Sequence, residues 1–347
     1  MKKIKILVIA TGTPTKLLET INERGHDYTL TEPKDFDIYL SDSVKGFDTL
    51  YLRGQKFVAS DYDAVISRIG AQRDFASKIL HQLQHNMRVF CVQSGESINI
   101  CADKLTTAQI MSENRIKVPK QFYSSNPESA KMMIERLGGL PVILKELSGS
   151  KGKGLILLES PLQTNMTLQS YLGGDRKVIL QQYLQNGNVD ERHIVCGGKV
   201  VNSMQRIAPK DDVRANLSQK GTAKPIQADP ETEEMCIKAV AAIKGLNFAG
   251  VDVMKVKDET GKATNYLIEV NSNPGEKIIE ITGHNHYNDL LDFIEKSIVA
   301  NLQPESTMPK PEIKQPVTTK QDLKPIAESL QKDDDEFGWP FRWLNEL

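Results

Sequence analysis

Two apolar stretches in the last third of the chain, Phe248-Ala-Gly-Val-Asp-Val-Met-Lys-Val256 and Asn265-Tyr-Leu-Ile-Glu-Val-Asn271, constrain the fold more than any other feature. Both read as strands, and the polar turn Lys257–Thr264 between them predicts a hairpin. Glu269 and Asn271 are two residues apart and so share one strand face. Ile268 and Val270 are expected on the other face, in a core. Asp252 stands inside an apolar run, where a lone carboxylate is costly to bury. If it pairs on the face of Glu269 and Asn271, two carboxylates and an amide oxygen converge, a donor set suited to Mg2+ held with substrate phosphates. The bland reading of the same residues is a solvated polar sheet face.

The 347 residues suit two or three packed subdomains. Over the first hundred, short apolar strands alternate with helical patterns. Ile4–Ala10, Tyr28–Thr31, Asp63–Ser67 and Arg88–Val92 are expected strands, with helices at Lys16–Glu23 and Phe75–Gln84. Such alternation implies a parallel sheet with helices on its faces. From Ala102 the pattern becomes α+β. Ala102–Glu113, Ser129–Leu137 and Glu231–Lys244 read as helices, and Pro141–Leu147, Leu155–Leu158, Val178–Leu184 and Ile194–Val201 as strands. The expected domains are 1–100 (α/β), 101–188 and 189–302 (two α+β subdomains), and 303–347, a Pro-rich linker and tail.

Gly149-Ser-Lys-Gly-Lys-Gly154 joins two expected strands. Its glycine spacing is the reverse of the dinucleotide fingerprint, and no Gly-Lys-Ser/Thr opens a helix after it. It reads as a flap whose N–H groups and lysines (Gly149, Ser150, Lys151, Gly152, Gly154) close over phosphates, or as an ordinary hairpin turn. Lys145 lies inside an apolar strand and Lys104 begins a helical segment; phosphate would satisfy both, as would a structural ion pair. Arg192, Arg206, Arg214 and Asn216 fall in one segment and could hold a carboxylate and a transferring phosphoryl group by forked hydrogen bonds.

Composition excludes several classes. With 44 basic and 45 acidic residues, the net charge of −1 argues against a nucleic-acid clamp. No apolar run reaches the roughly 18 residues of a membrane span, and the N-terminal run is too short for a signal peptide, so a cytoplasmic protein is expected. Cys91, Cys101, Cys196 and Cys236 form no Cys-x-x-Cys pair and are expected as reduced thiols. His81 and His85 share a helix face without a further ligand nearby, and His284 and His286 are expected in a loop. The tail, Asp333 to Leu347, follows an acidic run with Phe337, Trp339, Phe341 and Trp343. It reads as a peptide that docks on a partner, packs on the protein itself, or mimics a substrate in the active site.

The order of these motifs resembles an ATP-grasp ligase over about residues 1–300. The resemblance rests on Asp-Lys104, Leu-Lys145-Glu, the flap, Gln-Gln-Tyr183-Leu, Asp190-Glu-Arg192, Arg214-Ala-Asn216, Ala-Gly-Val-Asp252 and Glu269-Val-Asn271-Ser-Asn-Pro-Gly275. It is nearest to the RimK group, which adds glutamate to the C-terminus of a ribosomal protein; Arg68-Ile69-Gly70 also looks like that group. The resemblance implies a pre-ATP-grasp α/β domain followed by two subdomains that clasp nucleotide. It implies ATP phosphates on Lys104, Lys145 and the flap, adenine beside Gln182 and Tyr183, and ribose on Asp190. Asp252, Glu269 and Asn271 would bind Mg2+, with Mn2+ as a substitute. Arg192, Arg206, Arg214 and Asn216 would lie near the acceptor carboxylate or the acyl phosphate. Gln182 stands where the group usually has Glu, and Leu-Ser-Gln-Lys-Gly-Thr-Ala follows Asn216 where relatives show paired glycines.

The implied function is an ATP-dependent carboxylate–amine ligase working through an acyl phosphate. It is expected to be a homo-oligomer that joins an amino acid, glutamate favoured, to a peptide or protein C-terminus. Ligation of another small molecule, carrier protein or precursor peptide is the alternative, and a non-catalytic nucleotide-binding module is the third reading.

Overall fold

The computed structural model describes residues 3–40, 50–70, 72–146, 155–172, 177–185, 188–208 and 221–301. Met1–Leu302 form one compact unit, and the second unit, Gln303–Leu347, lies outside the described residues, as does the aromatic tail.

The chain opens with β1 (Lys5–Ala10), α1 (Thr15–Glu23) and β2 (Asp27–Thr31). A small antiparallel sheet follows, β3 (Phe36–Ile38), β4 (Leu50–Leu52) and β5 (Gln55–Lys56), which the sequence reading missed because its strands are two or three residues long. Then come β6 (Ala64–Arg68), α2 (Arg73–His81) and β7 (Phe90–Cys91). Strands β2-β1-β6-β7 make the expected parallel sheet. It is buried on both faces, as parallel sheets are: Ile6, Val8 and Ile66 enter one core, while Leu7, Ile9 and Val65 enter another with α2.

The helix expected at Ala102–Glu113 is α4 (Lys104–Glu113), and a further helix, α3 (Gly95–Ala102), directly precedes it. Asp103 breaks them because its carboxylate accepts from the Leu105 and Thr106 N–H groups, an N-cap that restarts the helix. Next are β8 (Gln121–Ser124), α5 (Pro127–Leu137), β9 (Val142–Glu146), β10 (Leu155–Leu158), α6 (Pro161–Leu172) and β11 (Val178–Gln182). They form an antiparallel sheet of order β10-β9-β11-β8. Val142, Leu144, Val178 and Leu180 face the helices; by alternation Lys145, Ile179 and Gln181 face the other way.

The third sheet, β14-β13-β12-β15-β16, is antiparallel throughout. Its members are β12 (Val189–Cys196), β13 (Lys199–Ile207), β14 (Thr222–Pro225), β15 (Phe248–Lys257) and β16 (Ala263–Asn271), with α7 (Pro230–Ala241) between β14 and β15. Helices α8 (Lys277–Thr282) and α9 (His286–Asn301) end the unit. The expected strand Ile194–Val201 is instead a hairpin corner: Gly197 and Gly198 adopt φ of +53° and +77° in a two-residue loop, the form that glycine pairs favour. The hairpin at Phe248–Asn271 forms as expected, with one change. A bulge beside Asp252 shifts the β15–β16 register, so Leu267 and Val270, not Ile268, enter the core. His286 is no loop residue either; it is fully buried at the start of α9. His81 and His85 are exposed, as read.

The β12–β13 turn yields a graded prediction. A Cβ on Gly197 would lie 2.5 Å from a ring carbon of Phe293, whereas one on Gly198 meets nothing within 4 Å. Gly198→Ala should cost about 1 kcal/mol from its positive φ alone, and Gly197→Ala about 2–3 kcal/mol because Phe293 must also move. Urea denaturation checks this; equal losses would show that the Phe293 contact carries nothing.

Candidate functional site

A cleft opens between the second and third sheets. On α4, Lys104, Thr107, Ala108 and Met111 form one helix face and line it. Lys145 of β9 and its register partner Ile179 of β11 line it opposite, with Gln181 and Gln121. The strand β16 contributes Leu267, Ile268, Glu269 and Val270, the bulge having turned Ile268 to the cleft.

The cleft is mainly apolar with a cationic end. Desolvation lowers the Lys145 ammonium to about 8; Glu269 opposes the shift and Lys104 adds to it, so the two lysines and Glu269 act on one another. A second cation held part-desolvated beside the first is an arrangement that an anion relieves. Cys101 also lines the cleft, and burial, reinforced by Glu269, pushes its thiol up to about 12. At neutral pH it is a thiol and no nucleophile. Gln182 donates its N–H to the Lys120 carbonyl at 2.8 Å, and Tyr183 Oη donates to Asn188 Oδ1 at 3.4 Å. Neither side chain lines the cleft; Gln181, one residue earlier, does.

Next to Glu269 in the sheet sits a buried ion-pair network. Asp190 and Arg192 lie on one face of β12, opposite Arg206 of β13 and Asp252 of β15 respectively. Arg192 donates from Nε and Nη2 to both Asp252 oxygens at 2.7 Å. Arg206 donates from Nε and Nη2 to the Asp190 oxygens at 2.6 and 2.7 Å, and from Nη2 to Asp252 Oδ2 at 2.8 Å. Arg206 is 3% exposed and Asp252 5%. Two guanidiniums outweigh burial and hold the Asp252 carboxyl well below the usual range. Burial raises Asp190, Arg206 pulling it back and the Asp252 charge adding to the rise. The cost of burying a carboxylate, which pointed to a metal on the sequence, is met in this structure by arginine.

Asp252 faces Glu269 across β15–β16, and Gly250 faces Asn271. Asn271 Oδ1 accepts the Asn273 N–H at 2.9 Å and keeps a second lone pair. Among the described residues no three His, Cys, Asp or Glu side chains converge into a cage sufficient for a metal by itself. The hard oxygens of Glu269 and Asn271, with Asp252 one strand away, fit Mg2+ all the same, since that ion takes one or two carboxylates and completes its shell with phosphate and water. The hairpin end is held from the first sheet. Gln93 donates from Nε2 to the carbonyls of Phe248 (3.1 Å) and Ser272 (2.8 Å) and accepts from Ser67 Oγ at 2.8 Å.

The structure thus brings Lys104, Lys145 and Glu269 together in the cleft, and Asp190, Arg192, Arg206 and Asp252 together beside it. Arg214 and Asn216, and Gly149, Ser150, Lys151, Gly152 and Gly154 of the flap, lie outside the described residues. The sequence reading missed Gln93, Gln181, Cys101 and Ile268. Helical spacing from Lys104 signals Met111; Gln181 is on β11, and the β9–β11 register sets it on the Lys145 face; Ile268 had no signal, because the bulge is set by the neighbouring strand.

Comparison with known proteins gives a consistent picture. A family model described as the RimK-like ATP-grasp domain matches residues 101–294, and one described as the RimK PreATP-grasp domain matches residues 3–98. A protein of Aliivibrio fischeri (strain MJ11) named probable alpha-L-glutamate ligase is 32% identical over 286 residues, 82% of this chain and 91% of that one. One of the same name from Coxiella burnetii (strain Dugway 5J108-111) is 32% identical over 300 residues, 85% and 96% of the two chains. Among solved structures, the ATP-grasp ligase PsnB, complexed with a phosphomimetic variant of its minimal precursor, Mg and ADP, has the same fold, with a TM-score of 0.65 at 16% identity over 84% of this chain and 98% of that one.

The network makes its own prediction. Arg206→Met leaves two buried carboxylates facing each other with one guanidinium, and should cost about 3–5 kcal/mol at pH 7. With Arg206 gone, one carboxyl titrates well above its unfolded value, so protonation removes the repulsion and the loss should shrink as pH falls toward 5. Urea denaturation at the two pH values reads this. Asp190→Asn in the Arg206→Met background should restore part of the stability; a loss that is independent of pH would contradict the ion-pair account.

Proposed function

The chain belongs to the RimK-like ATP-grasp family and is an ATP-grasp ligase, and we propose that it adds glutamate to the C-terminal carboxylate of a peptide or protein through an acyl phosphate. The observation that carries this reading is the cleft, where Lys104 and Lys145 stand at the end occupied by Glu269, with Asn271 and Asp252 beside it in the sheet. The name of the relatives supports glutamate as the incoming amino acid.

A carboxylate does not condense with an amine in water because its oxygen is a poor leaving group. The terminal phosphoryl group of ATP passes to a carboxylate oxygen of the acceptor and ADP leaves. The amine nitrogen then attacks the acyl carbon, the bond to the phosphate oxygen breaks, and the amine gives up one proton. In this reading Lys104 and Lys145 bind the phosphates and offset their charge. Glu269 and Asn271 hold Mg2+, with Asp252 adding its charge from the next strand; the ion supplies neutralisation of the transferring group. Arg192 and Arg206 fix Asp252 and Asp190 in place. The base meets the apolar wall of Met111, Leu267 and Ile268, near the carbonyl of Gln182 and Tyr183, with Asp190 toward the ribose. Four free cysteines are in keeping with a cytoplasmic setting, and no helix among the described residues is long and apolar enough to cross a membrane.

A precursor peptide is the second acceptor class, favoured by the likeness to PsnB and by the departure from the RimK pattern after Asn216. The test is ADP release from the purified protein with Mg2+, ATP and each amino acid, with and without an acidic-tailed peptide, followed by intact mass. Glutamate-dependent turnover with increments of one glutamyl residue on the peptide is the expected result; turnover with another amino acid and none with glutamate would contradict it. Glu269→Gln and Lys145→Met should each lower kcat/KM at least about 100-fold.

Lys145 also sets a pH dependence. Its ammonium form prevails below about 8 and is lost above it. The KM for ATP should therefore rise roughly three- to tenfold from pH 7.5 to 9, while Lys145→Arg, which stays charged, shows a flat profile. A wild-type KM that does not change over this range would remove Lys145 from the phosphates.

A further inference from the structure

Strand β1 has β2 on one side and β6 on the other, so the chain leaves β1 and β6 toward opposite edges of the sheet, with the first loop residues joined where Thr11 N–H donates to the Arg68 carbonyl at 3.1 Å and Gly70 N–H to Thr11 Oγ1 at 2.7 Å. In open parallel sheets such a switch point is where a crevice forms outside the carboxyl ends of the strands and takes a ligand. None of the residues lining the nucleotide cleft comes from these loops. The rim carries two exposed glycines, Gly12 and Gly70, and a Cβ on Gly12 or on Gly275 would meet no atom within 4 Å. Facing the rim is the turn that follows Asn271: a Cβ on Gly70 would lie 3.9 Å from Asn273 Nδ2 and 3.4 Å from Thr11 Oγ1. The crevice therefore opens beside the last of the residues assigned to Mg2+.

At its base is Arg68, the final residue of β6, only 7% exposed. Its Nη2 donates to the Pro274 carbonyl at 2.6 Å, but Nε and Nη1 are buried with no acceptor among the described residues. Its guanidinium carbon lies 5.7 Å from the Tyr287 ring. Glu276 is already engaged, accepting from Tyr287 Oη at 3.0 Å and from the Lys16 N–H at 3.4 Å. The second orphan nearby is His286 Nε2. Its Nδ1 faces the Asn202 amide nitrogen at 3.5 Å, which assigns the ring proton to Nε2 and makes it a donor. Burial and the Arg68 charge push His286 down to about 3, so it adds no competing cation. Buried donors without acceptors, one of them a guanidinium, are costly unless an anion completes them.

Among the described residues, arginine accounting points the same way. An amino acid that attacks through its amine keeps its own carboxylates as anions, and they require a receptor. Arg192 and Arg206 are committed to Asp252 and Asp190. We propose that Arg68, with His286 and Asn273, receives a substrate carboxylate in the switch-point crevice, next to the turn that follows Asn271. The carboxylate comes from the incoming amino acid or from a side chain of the acceptor peptide, and the inference rests on the ligase reading above.

The test has a binding arm and a kinetic arm. Thermal unfolding of the full chain with glutarate or with glutaramide, its neutral diamide, reads the anion site without turnover. Glutarate should raise the wild-type midpoint and glutaramide should not; Arg68→Gln should abolish the difference. In the kinetic arm, Arg68→Gln should raise the KM for one carboxylate substrate about 10- to 100-fold and leave the KM for ATP within about threefold. The preference for glutamate over glutamine should collapse if the amino acid is the source. The preference for an acidic over an amidated acceptor side chain should collapse instead if the peptide is. If Arg68→Gln does not fold, Gly70→Leu, which fills the mouth between Thr11 and Asn273, should weaken the glutarate response in the same way. An equal glutarate shift in wild type and variant, or no shift in either, overturns the site. Ligase turnover with unaltered preferences in the variant also overturns the site and leaves the ligase reading standing. A glutarate shift that Arg68→Gln removes, in a protein that turns over no amino acid, keeps the site and removes the ligase reading.

Discussion

Two guanidiniums and two carboxylates on three adjacent strands hold the centre of this molecule together. Asp252 can be 5% exposed only because Arg192 and Arg206 each donate to it, and Arg206 can be buried only because Asp190 takes its fork. The four residues also fix register. A slip of one residue in β12 would send Asp190 and Arg192 to the opposite face. There Glu191 meets Lys255 at 2.9 Å and His193 Nδ1 meets Ser203 Oγ at 2.8 Å. Both faces of β12 thus carry partnered polar groups, and no shifted pairing satisfies either. Register at Asp252 sets register at Glu269, and the bulge beside them turns Ile268 into the cleft. The chemistry of the site follows from that one alignment.

The first domain is structurally part of the same site. Gln93 grips the beginning of β15 and the end of β16 through two carbonyls, and Arg68 holds the Pro274 carbonyl. Glu276 reaches back to the first turn of α1. The turn after Asn271 is therefore positioned from a different sheet.

Much of this was legible in the sequence because it is local. Strand alternation gives the side of β9 that Lys145 occupies, apolar runs give the parallel sheet, and the spacing of Glu269 and Asn271 gives their shared edge. The arginine pairing was not legible. Arg206 reaches Asp190 across a hairpin, and reading Ile194–Val201 as one strand concealed it; the pair Gly197-Gly198 was the available signal. Asp103 was likewise visible as an N-cap and was read through. The β15–β16 bulge had no signal at all, since it arises from how one strand seats on the next. Nor does a sequence show that Arg68 lacks an acceptor, because that is a property of everything around it.

The central claim is that the protein activates a carboxylate by phosphorylating it. An acceptor peptide carrying oxygen-18 in its terminal carboxylate tests this most directly, with mass analysis of the phosphate released during amide formation. The account predicts one labelled oxygen in that phosphate for each bond made. Label retained wholly in the peptide, or recovered in a nucleotide monophosphate, would contradict it.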